Sequence, residues 1–69
     1  MLSEEEVKVF LSTVTTGGSV HYPHFPDLIA LKKHRYELFQ LAKQHGLNMR
    51  STVDFKTLEM TAWVVQKNG

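Results

Sequence analysis

Apolar residues recur at helical spacing in three stretches, and the longest lies between Pro26 and Gly46. At 100° per residue Leu28, Leu31, Leu38, Phe39 and Ala42 share one stripe, with Lys33, Glu37, Gln40 and Gln44 opposite. Pro26 suits a first helical position, where no N–H is needed, and Gly46 suits the residue just past a helix end. The pattern predicts a helix over residues 26–45 with the stripe against a core. Its flanks are mixed: Ile29 and Tyr36 stand among lysines, while His34, Arg35 and His45 fall on or beside the stripe. Arg35 must either reach the rim or meet a carboxylate such as Glu4, Glu5 or Glu59, because a lone buried guanidinium is costly.

The chain opens with a helix-start signature. Ser3 can cap while Glu6 reaches back, and Leu2 and Val7 are spaced as a hydrophobic staple. Glu4, Glu5 and Glu6 favour the positive end of the helix dipole. Val7, Phe10, Leu11 and Val14 then mark one face, so a helix is predicted over residues 4–15. Gly17 and Gly18 end it. The prolines of the segment 20–26 impose extended geometry on the residues before them, leaving Tyr22 and Phe25 to pack under the central helix.

Beyond Gly46, Ser51 can cap and Phe55, Leu58, Ala62 and Val65 fall on a helical face, which predicts a third helix over residues 52–66. The composition there also suits strands, since Thr52, Val53, Thr57, Thr61, Trp63, Val64 and Val65 all favour them. The alternative places residues 58–66 in a strand paired with residues 20–22. The fold expected from the pattern is an all-α domain of three helices spanning residues 1–69, with an α+β arrangement carrying a short two-stranded sheet as the alternative.

Composition narrows the function classes. A chain of 69 residues buries only about 60% of its unfolded surface, and with no cysteine it has neither disulfides nor a thiolate zinc site. The lack of cysteine suits a reducing compartment, and no stretch nears the roughly 20 apolar residues of a membrane span. Glutamates stand where a signal peptide would carry basic residues. The expectation is therefore a soluble, cytoplasmic protein with no membrane partner. The net charge of +1 conceals a basic middle: Lys32, Lys33, Arg35, Lys43 and Arg50 face Glu37 alone over residues 32–50, five cations against one carboxylate, or +4. Such a patch attracts phosphate or an acidic partner.

Residues 41–53 resemble the helix-turn-helix motif of DNA-binding regulators: Ala42 is the small residue of the first helix, Gly46 the turn glycine and Leu47 the apolar residue that follows. Val53 comes one residue later than the motif places it, so the turn is one residue longer. The resemblance implies a corner over residues 41–58 with Lys43, Arg50, Thr52, Lys56 and Thr57 meeting DNA. Lys32, Lys33 and Arg35 would then serve as positioning contacts, and Asp54 opposes a close phosphate.

Other chemistry is sparse. His21 and His24 form a His-x-x-His pair, but a metal needs three or four convergent ligands. His34 and His45 are about 16 Å apart along an ideal helix and cannot share one ion. There is no phosphate loop and no elbow serine, and a chain this short has little room for a catalytic pocket. No enzyme activity, metal, cofactor or small-molecule substrate is expected. The function expected is that of a small accessory or regulatory protein acting by protein–protein interaction, as a homodimer, through Ile29, Tyr36, Met60, Trp63 and Val64. DNA binding for transcription regulation is the rival.

Overall fold

The structure is a computed structural model and describes residues 2–65. Helix α1 (Glu4–Thr15) is capped by Ser3, whose Oγ accepts the Glu6 N–H at 3.2 Å and whose hydroxyl donates to Glu6 Oε1 at 3.3 Å. It ends in a Schellman motif, with the Gly17 N–H donating to the Val14 carbonyl and the Gly18 N–H to that of Thr13. Strand β1 (Val20–Tyr22) follows. Helix α2 (Leu28–Gln44) starts two residues later than the proline suggests, because Asp27 is the cap and its carboxylate accepts the Ala30 N–H at 2.8 Å. The same terminal motif closes α2 through the Gly46 and Leu47 N–H groups, with Gly46 at φ +70°. No helix among the described residues is long and apolar enough to cross a membrane.

The predicted third helix is absent and the fold is α+β. Residues 48–65 form a hairpin of strands β2 (Asn48–Asp54) and β3 (Glu59–Val65). The sheet is antiparallel in the order β1-β3-β2, with Val20 opposite Ala62, Arg50 opposite Trp63 and Val53 opposite Met60. The pairing of residues 20–22 with the last segment, given above as the alternative, is present. A third strand joins it, so the sheet is larger than that alternative. The physical reason is a period of two that the helical spacing concealed: Met49, Ser51 and Val53 on β2, and Met60, Ala62 and Val64 on β3, all point to the side covered by the helices. Residue 66 of the predicted helix lies outside the described residues.

Both helices pack on one face of the sheet. Phe10 and Val14 from α1, Leu31, Leu38 and Ala42 from α2, and Met60 and Ala62 from β3 are fully buried. Phe39, assigned above to the core stripe, is instead 46% exposed on the flank of α2. The hairpin turn is held by Asp54, whose Oδ1 accepts the N–H groups of Lys56 and Thr57. Leu58 takes a left-handed conformation at φ 56°, and its carbonyl accepts the Phe25 N–H at 3.0 Å, tying the proline segment to the turn.

Candidate functional site

The spacing Lys32, Arg35, Tyr36, Phe39 places these side chains on one flank of α2. Because α2 lies over the β2 side of the sheet, that flank faces Met49, Arg50 and Ser51 across an open groove of about 680 Å³. Its aromatic wall is exposed, Tyr36 at 63% and Phe39 at 46%. Arg35 spans the groove and its Nε donates to Ser51 Oγ at 2.9 Å, so it meets a hydroxyl and none of the carboxylates considered above. The ion pairs between described residues are His21 with Glu59 and His34 with Glu6. Lys32, Arg35 and Arg50 therefore have no carboxylate at ion-pair distance among the described residues, and no acid lines the groove.

Strand β2 is the edge of the sheet beside this groove. Alternate residues of an edge strand direct N–H and C=O groups away from the sheet. Among the described residues no backbone group lies on that outer side to receive them. A second depression, of about 540 Å³, lies between Lys8, Leu11, Ser12 and Thr15 of α1 and His45 and Leu47 beyond α2. It has two cationic or polar rims but no exposed aromatic.

The outer face of the sheet carries a hydroxyl–imidazole–carboxylate line. His21 Nδ1 lies 3.0 Å from Thr61 Oγ1, and His21 Nε2 lies 3.7 Å from Glu59 Oε2. Thr57 Oγ1 donates to Glu59 Oε1 at 2.9 Å. Under the helices, His34 sits against the rings of Tyr22 (4.6 Å between centroids) and Phe25 (5.3 Å), with a buried Nε2 that has no hydrogen-bond partner. Burial lowers the His34 pKa, opposed by Glu6 and Glu37. Burial, with Glu6 adding to it, pushes the Tyr22 phenol up to about 12.

The residues expected to form one protein interface are not brought together. Ile29 and Tyr36 are exposed on α2, Met60 is in the core, Val64 packs against the core, and Trp63 stands on the opposite face of the sheet. The corner expected at residues 41–58 is a helix-to-strand turn, so no recognition helix carries the DNA-facing set. Lys43 lies in the last turn of α2, Arg50 and Thr52 lie on β2, and Lys56 and Thr57 lie in the hairpin turn. Part of the basic middle of the chain does converge, through Lys32 and Arg35, with Arg50 bordering the groove from the edge strand. What the sequence reading missed is the contribution of Phe39, Met49 and Ser51, whose signal was the alternation along residues 48–54. Comparison with known proteins gives no match to a protein-family model, a curated protein or a solved structure.

Proposed function

We propose that this protein is a non-enzymatic accessory module that binds another protein, and that the α2–β2 groove is its binding site for an acidic partner. The observation that carries the reading is the lining: Lys32 and Arg35, with Arg50 at the strand edge, none beside a carboxylate among the described residues, next to two exposed aromatic rings. Exposed aromatics and arginines are the side chains that most often anchor protein interfaces. The Thr61–His21–Glu59 line has the order of groups needed to activate a hydroxyl. It lies on the open sheet face outside both grooves, where a substrate would have little to hold it, which supports the non-enzymatic reading. The cysteine-free sequence suits the cytoplasm as the place of action.

Titration with polyglutamate tests the site. Binding should weaken as salt rises. The double variant Lys32→Glu, Arg35→Glu should lose about ten-fold or more in affinity, since each cation facing an anion contributes on the order of 1 kcal/mol. Equal affinity of parent and variant would reject the groove. A single-stranded oligonucleotide that binds the parent more tightly than polyglutamate would move the reading to nucleic acid, because cations flanking aromatics also suit stacked bases.

A further inference from the structure

Resting on that reading, we propose that the partner's acidic segment binds in extended form and adds to the sheet as a fourth strand along β2. The two edges of the sheet are unlike. β1 has three residues and runs into Pro23 and Pro26, so it offers little to a fourth strand. β2 has seven residues, no proline and no backbone partner on its outer side among the described residues. Proteins usually blunt such an edge with short length, proline or a covering loop. Here one edge is blunted and the other is left open, and the open one is the edge beside the cationic groove.

The geometry also selects the side chains of the occupant. A strand added about 4.8 Å from β2 turns alternate side chains to opposite faces. One set comes over the helix side, above Lys32, Arg35, Tyr36 and Phe39; the other meets the outer face, where Arg50 and Thr52 stand exposed. Carboxylates at every second position therefore meet the cations, and β-branched residues between them suit the sheet. A second copy of this chain is a poor occupant. Two-fold pairing of β2 with β2 would bring Lys32, Arg35 and Arg50 toward their own counterparts. Main-chain pairing along an edge is a recognised mode for extended peptides and is unavailable to a nucleic acid.

The test uses a capped seven-residue peptide alternating glutamate and valine, together with two versions N-methylated at its odd or at its even amides. The unmodified peptide should bind and should slow hydrogen exchange of β2 amides while leaving those of β1 unchanged. One methylation pattern should lower affinity about ten-fold or more, since it removes several backbone hydrogen bonds. The other, with its methyl groups turned away from β2, should have a smaller effect. Equal effects of the two patterns, or binding without protection of β2, would overturn strand addition and leave the groove reading standing. Failure of every acidic probe to bind would overturn both.

Discussion

His34 is a histidine kept from its usual chemistry. Its Nε2 is buried without a hydrogen-bond partner beside two aromatic rings, and the Glu6 carboxylate stands 3.9 Å away, too far for a hydrogen bond. Burial favours the neutral ring, so the folded chain takes up the proton at lower pH than the unfolded chain does. The sign follows: the unfolded state binds more protons just below pH 6.5, so stability from this group is whole above that pH and declines as pH falls through it. Glu6 from α1 and Glu37 on the same helix temper the loss. His34→Phe keeps the ring packing and removes the titration. Urea midpoints of parent and variant should diverge, in the variant's favour, between pH 7.5 and pH 5.5. Gly46 gives a second prediction at this scale. With φ at +70° and open space where a Cβ would go, Gly46→Ala meets no clash and should cost about 1 kcal/mol from backbone conformation alone.

At the scale of elements, the helices carry their own boundaries. Ser3 and Asp27 hold the first turns, and glycines at the left-handed positions close the last ones. Asp27→Ala should destabilise the fold by about 1 kcal/mol in a denaturant titration, the usual effect of losing a cap. Those signals act over three or four residues, which is why α1 and α2 are legible in the sequence within a residue or two. The strands are not marked in that way. Phe55, Leu58, Ala62 and Val65 imitate one helical face, whereas Phe55 and Leu58 lie in the turn and Ala62 and Val65 point to opposite faces of β3. The true organising contacts, Val53 with Met60 and Met49 with Val64, are cross-strand pairs, and Ser51 interrupts the apolar alternation that would have announced β2. The groove shared this fate. Its cations were visible as a basic stretch, but a site made by a helix and an edge strand has no outline until the strand is recognised.

At the scale of the whole molecule, seven of the described residues form the fully buried core. A core of that size supplies only about 3–5 kcal/mol of net stability, and Phe10→Ala removes about as much. The variant should be largely unfolded at 25 °C by circular dichroism. The sheet also changes the expectation for assembly. Two-faced second and third helices point to a homodimer; the third helix is absent and Met60 and Val64 turn to the core, while Ile29 and Tyr36 stay exposed on α2. Sedimentation equilibrium at low salt should show a monomer, since pairing through the open edge would set like charges together.

The strand order has a consequence in time as well as in space. Of the three strands, the one synthesised last is the central one, and β1 and β2 pair only with it. Until residues 59–65 have been made, the earlier part of the chain holds two capped helices and two strands with no mate. Translation that stops short of them therefore forfeits the whole sheet at once, rather than a third of it.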